Sequence, residues 1–457
     1  MLNDIVLPHD FTFGIAESDL QTVGSFYPQK FEKSQKTMWE IFAKRKEIDV
    51  PLYGSYKYLK YKDDAKLITD LGVKAYRTSV SMSRTIDKMG KVNKTAFKWY
   101  RNYLHLIKSK GIKIHLCLYH WEAPEIFSQE GILNINFLDY FLKHIKITEE
   151  YLSDLVDFYV PINESWCISY LSYFVGIQAP GYKSLEKFFQ AYFKVIHLQT
   201  EAIQYLKSKN PKNKIGLINI HFPTYIQTQF VSDSKYLKAR NLADNITNYI
   251  FSDPFFMGEI SEVVMHTFKK LFPKNHKDII KKAKLGNLID YYGINYYNSQ
   301  YVKPAKSDFG YEQVIPKNAM RNSLGWPVSL PPYYPNGLTD ILLLYSRRYA
   351  KFGLKSLMVS ENGVPLNTKY RKNEIPNDDF RIYFINKHLE QIQKAVSEGA
   401  KVDGYFLWTL LDNYEWQEGY RPESAFGIVA LDKKTGKRIP KKSYFWYQKL
   451  IKNASRI

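Results

Sequence analysis

The sequence predicts an α/β fold, a single (β/α)8 or TIM barrel running from residue 1 to 457. Three observations carry that expectation. Short apolar strands alternate with amphipathic helical stretches, the signature of parallel β/α units. Eight such strands can be counted, and eight close most simply into a barrel. Polar and ionisable residues recur where those strands end, and in this fold the carboxyl ends of the strands carry the chemistry.

The strands are expected at residues 11–16, 75–80, 113–118, 158–162, 214–219, 291–296, 356–359 and 404–410. Between the third and fourth, Leu138, Phe141, Leu142, Ile145, Leu152, Leu155 and Val156 recur at spacings that share one helix face. Between the seventh and eighth, residues 379–398 place Ile382, Ile385, Leu389, Ile392 and Val396 on one face, and Gly399 is positioned to end that helix. The strand-end residues follow the same order. Gln21 comes after the first strand, Arg77 lies within the second, and His120 and Trp121 follow the third. Asn163 and Glu164 close the fourth, Asn295 and Tyr297 belong to the sixth, Glu361 follows the seventh, and Glu415 and Trp416 follow the eighth. No Gly/Ser-rich linker or repeat interrupts the pattern, and Pro331-Pro332 with Pro335 punctuate a loop, so one domain is expected.

Composition agrees with a large folded core. Hydrophobic residues make up 45% of the chain and aromatics 16%, with 37 tyrosines, which excludes a disordered chain and suits a wet, aromatic-lined cavity. The two cysteines, Cys117 and Cys167, cannot build a disulfide framework, which points to a reducing compartment. Residues 1–10 lack the basic-then-apolar pattern of a signal peptide, and no run of 18 apolar residues is present, so the expected location is cytoplasmic. The net charge of +20 raises the question of an anionic partner. Its densest stretch, residues 269–284, would form a basic amphipathic helix able to rest weakly on an anionic membrane, although a solvated face is the simpler reading. No nucleic-acid motif accompanies it. The ten histidines show no metal-binding spacing, so neither metal nor cofactor is expected.

Two glutamates focus the chemistry. In a closed barrel, Glu164 and Glu361 meet at one rim despite their distance along the chain. A carboxylate nucleophile beside a carboxylic proton donor is the machinery for cleaving a glycosidic bond.

Ordered motifs sharpen this reading. They are Phe13-Gly14 with Gln21, Tyr119-His120-Trp121 with Pro124, Asn163-Glu164, the run from Gly293 to Tyr297, Glu361-Asn362-Gly363, and the run from Trp408 to Trp416 followed by Glu418-Gly419-Tyr420. Any one has an ordinary structural explanation, but together, in this order, they resemble glycoside hydrolase family 1 over nearly the whole chain. The resemblance implies a retaining β-glucosidase or β-galactosidase. Glu361 would be the nucleophile, ionised and supported by Arg77 and by the hydroxyl of Tyr297. Glu164 would be the general acid/base, its proton held by partial burial and by the negative charge of Glu361. Asn163 resembles the residue that bonds the sugar 2-hydroxyl. Gln21, His120, Trp408, Glu415 and Trp416 match positions that bind the non-reducing sugar, Trp121 and Asn295 stand within matching motifs, and Trp326 resembles a tryptophan that stacks on the leaving group. A carboxylate at Glu415 would repel a 6-phosphate, which favours an unphosphorylated sugar.

The chain departs from the family pattern in places. Ser165 stands where proline usually follows the acid/base, Val23 where a glutamate is common, and Met82 where tryptophan is common. The stretch between Trp326 and Gly337 is rich in proline and tyrosine. The expected activity is exo-acting hydrolysis of unphosphorylated β-glucosides or β-galactosides by double displacement. Two alternatives stay open: transglycosylation on the same fold, and a sugar-binding member with impaired turnover. Oligomeric state is not legible.

Overall fold

The computed structural model describes residues 5–25, 35–329, 335–369, 374–432 and 434–454. The expected turn residues Pro331 and Pro332 lie outside that set. Eight parallel strands close the barrel: β1 (Thr12–Ala16), β2 (Ala75–Ser79), β3 (Lys113–Cys117), β4 (Phe158–Val160), β5 (Lys214–Ile220), β6 (Tyr291–Asn295), β7 (Leu357–Asn362) and β8 (Val402–Trp408). Each pairs with its sequence neighbour, and β1 pairs with β8 from Thr12↔Gly404 to Ala16↔Trp408, which shuts the sheet. Closure needs no edge strand to be protected.

Below the site the barrel is filled by rings. His115 of β3 stacks on Phe158 of β4 with centroids 4.3 Å apart, and Tyr291 and Phe406 pack around it. Glycine makes this layer possible, since a Cβ on Gly14 would come within 2.4 Å of the Phe406 ring. Burial pushes the His115 imidazole down to about 3, so it packs there as a neutral ring.

All eight strands stand within a few residues of the sequence expectation, with four differences elsewhere. Strand β7 continues past the apolar run through Ser360 and Glu361 to Asn362, because these residues pair with β6 and β8 on either side. Strand β8 starts two residues earlier than expected and stops at Trp408, whose peptide bond to Thr409 is cis. The helix before β4 spans Phe137–Leu152, so Leu155 and Val156 belong to the turn beyond it. The continuous helix expected over 269–284 is two short pieces, Lys269–Leu271 and His276–Lys282, divided at Pro273. Ile280 is buried in the core and Ile279 packs against it, so that segment's apolar side serves the fold and its lysines face outward. The helix before β8, Asp379–Ser397, ends as expected with Gly399 at φ +94°. Among the described residues, no helix is long and apolar enough to cross a membrane.

Buried ion pairs hold the helix Lys57–Leu71 in place. Lys57 of helix Lys57–Leu71 donates to the Glu17 carboxylate, which also accepts from the Tyr76 hydroxyl of β2 at 2.8 Å. Both charged side chains are essentially inaccessible to solvent. In the same helix Asp64 receives two bonds from Arg438, at 2.6 and 2.9 Å, across 374 residues of chain. Removing one member of such a pair strands a charge in a medium that solvates it poorly. We expect Lys57→Met to cost about 3–5 kcal/mol in urea unfolding. Lys66→Met, which breaks the exposed Lys66–Asp70 pair of the same helix, should leave the midpoint almost unmoved.

Candidate active site

The carboxyl ends of the strands surround a cavity of about 430 Å³. Ten sequence-predicted residues line it: His120, Trp121, Asn163, Glu164, Tyr297, Trp326, Glu361, Trp408, Glu415 and Trp416. The remaining three, Gln21, Arg77 and Asn295, stand directly behind that wall, and each bonds a carboxylate that faces the cavity. A larger depression of about 800 Å³ lies between the 49–56 and 412–422 segments and contains none of them. Its carboxylates are engaged elsewhere, Asp49 by the Tyr420 amide and Asp412 by Lys441.

Glu361 is 3% exposed and sits in β7, where the strand's register shifts between Val359 and Glu361. Such an irregularity re-aims a side chain that regular pleating would direct elsewhere. Its Oε1 accepts from Arg77 Nη1 at 2.5 Å, and its Oε2 accepts from the Tyr297 hydroxyl at 2.7 Å. Arg77 extends its second nitrogen, Nη2, to Asn163 Oδ1 at 2.5 Å. Burial and the neighbouring Glu361 charge hold the Tyr297 phenol far above its ordinary range, so it remains a donor.

Glu164 is also 3% exposed but has no cation in contact. Asn295 Nδ2 donates to its Oε1 at 2.6 Å, and the Cys167 thiol donates to its Oε2 at 3.0 Å. Asn295 is oriented in turn by the Ser360 hydroxyl, which donates to its Oδ1 at 2.6 Å. Burial, and then the negative charge of Glu361, push the Glu164 carboxyl up to about 8. Two carboxylates in one cavity therefore have opposed environments, the arrangement that separates an acid from a base.

The polar wall extends from there. Asn163 Nδ2 lies 3.1 Å from His120 Nε2, and since the amide nitrogen donates, Nε2 accepts and the His120 hydrogen sits on Nδ1. That Nδ1 is buried with no partner among the described residues. Burial, and then the Arg77 charge, keep the His120 ring neutral. Gln21 Nε2 donates to Glu415 Oε2 at 3.0 Å and to the Tyr414 carbonyl at 2.9 Å, while its Oε1 accepts from Ser18. Burial, and then repulsion from Glu361, raise the Glu415 carboxyl well above its ordinary range. Tryptophans complete the floor. Trp416 packs on Trp121 with centroids 4.5 Å apart and on Trp39 at 4.8 Å, and His120 lies between the planes of Trp408 and Trp416. Trp326, 38% exposed, stands at the mouth on a turn fixed by Asn322 Oδ1.

Three non-glycine residues of this site hold left-handed backbone conformations: Trp121 (φ 68°), Glu164 (φ 48°) and Trp416 (φ 38°). Each costs about 1–3 kcal/mol and persists where its surroundings over-determine it. The anchors are visible. The Trp121 carbonyl accepts from Trp39 Nε1 and its own Nε1 donates to the Asn163 carbonyl, both at 2.9 Å. After Glu164, the amide of Trp166 donates to Asn219 Oδ1 at 3.0 Å. Ser165, where proline was expected, is buried and accepts from Gln199 Nε2 of helix Leu185–Lys209 at 2.9 Å. A side-chain anchor thus stands where a fixed φ would otherwise act. Val23 and Met82 are core residues away from the cavity, and nothing in the site explains their choice.

Sequence reasoning missed several participants. Trp39 and Ser360 bond the predicted residues Trp121 and Asn295, and Asn219 and Gln199 bond Trp166 and Ser165 just after Glu164, all from elements with no local signal. Asn298 and Gln417 line the cavity, each with a buried oxygen, Oδ1 and Oε1, unpartnered among the described residues. Cys167 is a buried free thiol, and it touches Glu164. Among the described residues no cluster of three or more His, Cys, Asp or Glu side chains is suited to hold a metal.

Known proteins resemble this chain over nearly its full length. The chain is 29% identical to β-glucosidase A of Thermotoga maritima over 98% of both chains. It is also 29% identical to a 6-phospho-β-galactosidase of Clostridium acetobutylicum over 96% of both. The solved structure of the Thermotoga maritima β-glucosidase in complex with deoxynojirimycin superposes with a TM-score of 0.89 at 27% identity, covering 98% of this chain and 99% of that one. The model of glycosyl hydrolase family 1 matches residues 3–456, and this chain, a β-glycosidase by fold and by sequence, belongs to that family.

Proposed function

We propose that the protein is a retaining exo-β-glycosidase acting on unphosphorylated β-glucosides and β-galactosides by double displacement. The observation that carries this reading is the unequal pair: Glu361 is bonded by Arg77 and Tyr297, while Glu164 shares its cavity without a cation and with its proton retained to about pH 8.

In the first step a Glu361 oxygen attacks the anomeric carbon as the bond to the leaving oxygen breaks, and Glu164 gives its proton to that oxygen. A covalent glycosyl ester forms. Esterification removes the Glu361 charge that had raised the Glu164 carboxyl, so Glu164 becomes a stronger acid and persists as the carboxylate that takes a proton from water. Water then attacks the anomeric carbon, Glu361 leaves, and Glu164 is protonated again. Asn163 is aimed at the sugar 2-hydroxyl, with its amide already oriented by Arg77 and His120.

The acceptor-rich Gln21–Glu415 pair, the free Nδ1–H of His120 and the Trp408 ring suit the hydroxyls and C–H face of a hexose. Among the described residues lining the cavity there is no lysine or arginine, and Glu415 stands in the wall. A phosphate dianion would enter without a cation to pair with it. These facts favour the unphosphorylated sugar even though 6-phospho-β-galactosidases are among the relatives. Trp326 at the mouth is assigned to the leaving group. We read residues 1–457 as one domain, supported by a barrel that closes only when β1 meets β8. Two unpaired buried cysteines favour a reducing, cytoplasmic setting. The lysines of 269–284 offer an anionic membrane an electrostatic attraction alone.

Three outcomes test the reading. Glu361→Ala should abolish turnover of aryl β-glycosides, and azide should restore part of it by displacing the aryl group at the anomeric carbon in place of Glu361, giving the α-glycosyl azide with configuration inverted relative to the substrate. Rescue without azide incorporation counts against Glu361 as the nucleophile. Glu164→Ala should slow alkyl glycosides by roughly 10²–10⁴-fold while sparing the first step for dinitrophenyl glycosides, which need no protonation. Equal losses on both would contradict a proton-donating role. In a panel of nitrophenyl β-glucoside, β-galactoside and their 6-phosphates, the unphosphorylated sugars should show the higher kcat/KM, and a preference for either phosphate would overturn the substrate assignment.

A further inference from the structure

We propose that Cys167 is a positioning residue for the proton donor: its thiol orients the Glu164 carboxyl through Oε2 and, as a weak partner, leaves that oxygen able to exchange a proton with the substrate. The inference rests on the acid/base role proposed for Glu164.

Placement comes first. Cys167 opens the π-helical segment Cys167–Val175, three residues after Glu164, and lines the cavity while only 3% exposed. The wider π turn and the left-handed φ of Glu164 together bring a side chain from just downstream back against the carboxyl. The thiol sits 3.0 Å from Oε2. The other free cysteine, Cys117, donates to the Tyr119 carbonyl at 3.3 Å and does not line the cavity.

The two oxygens of Glu164 are held differently. Oε1 receives the Asn295 amide at 2.6 Å, and Ser360 locks that amide from behind. Oε2 receives, among the described residues, the thiol alone. An S–H is a weak donor and sulfur a weak acceptor, so the contact fixes direction while favouring the carboxylate only modestly. An O–H in the same place would bond the carboxylate strongly and favour it over the acid. Burial, and then the Glu164 charge, keep the thiol protonated, so it is a hydrogen-bond donor and not a nucleophile. The other charged or titratable groups acting on Glu164 are Glu361 of β7, Arg77 of β2, Tyr297 after β6 and Glu415 after β8. A change at Cys167 leaves all four in place.

The test is the pH dependence of kcat/KM for an alkyl β-glucoside, whose alkaline limb reports the protonated donor in the free enzyme. In the unmodified enzyme activity should fall through about pH 8. Cys167→Ser supplies a stronger donor to the carboxylate, so its limb should move to lower pH. Cys167→Val removes the donor while filling the space, so its limb should move to higher pH. Each shift should be on the order of half a pH unit or more. Limbs that stay put, or that move the same way in both variants, would reduce Cys167 to packing. Stoichiometric labelling by a 2-fluoro dinitrophenyl glucoside, which needs no proton donor, verifies an assembled site in each variant, and Cys167→Ala replaces Val if that variant does not fold. Glu164→Ala run alongside separates the two readings. If it lacks the leaving-group dependence described above, the acid/base role itself fails. If it shows that dependence and the limbs do not part, only the role of Cys167 falls.

Discussion

Arg77 donates from the middle of β2 to the Glu361 carboxylate on β7 and to the Asn163 amide beyond β4, while only 1% of its own surface is exposed. Three strands thus meet at one buried cation. A planar guanidinium suits the task, since its fork reaches two acceptors at fixed angles and stays charged in a dry setting. Its surroundings make it indispensable. Glu361 and Glu164 are buried and Glu415 is half-buried in one cavity, and the Glu361 charge raises the cost of ionising the other two. Arg77 is bonded to Glu361 and, among the described residues, to neither of the other two, so the three carboxyls stand in unequal surroundings. Every role proposed for the site follows from that asymmetry.

Positioning elsewhere serves the same end. The left-handed backbone at Trp121, Glu164 and Trp416 is unfavourable locally, and the energy to hold it comes from the barrel around it. Trp39, from a helix outside the barrel, braces two of those three residues by bonding the Trp121 carbonyl and packing on Trp416. Asn219 and Gln199 brace the third from β5 and from the long helix that follows β4. Buried ion pairs fix the helix Lys57–Leu71, Lys57 bonding Glu17 just after β1 and Asp64 bonding Arg438 near the chain's end.

Tolerance of sequence change also has a physical reading here. At 29% identity to the Thermotoga maritima β-glucosidase the fold superposes over essentially the full chain. What must persist is the direction of a few side chains at the rim. Ser165 illustrates how that direction survives substitution, since the Gln199 bond to its hydroxyl restrains the segment that a proline would have stiffened. The cavity mouth is freer. Trp326, Asn298 and Gln417 approach it from loops outside the barrel strands, where side chains can change without disturbing the glutamates.

How much was legible divides along the range of the forces involved. Strand positions, helix faces and the order of rim residues were readable from the sequence, because hydrophobic periodicity and turn chemistry act between near neighbours. The break at Pro273 was readable too, yet lysine density drew attention from it. The extension of β7 through Glu361 was not, since polar residues there are held as strand only by β6 and β8 on either side. Nor was the meeting of Cys167 with Glu164, because a three-residue spacing leaves the thiol's direction to the π turn and the left-handed φ. By itself the sequence determined the barrel and its family, and its motifs named the two glutamates and their expected roles. Only the tertiary structure decided how closely each carboxyl is approached and by which further groups, Asn295 and Cys167 at Glu164 among them, for burial and proximity exist only once distant strands have closed around the same small volume.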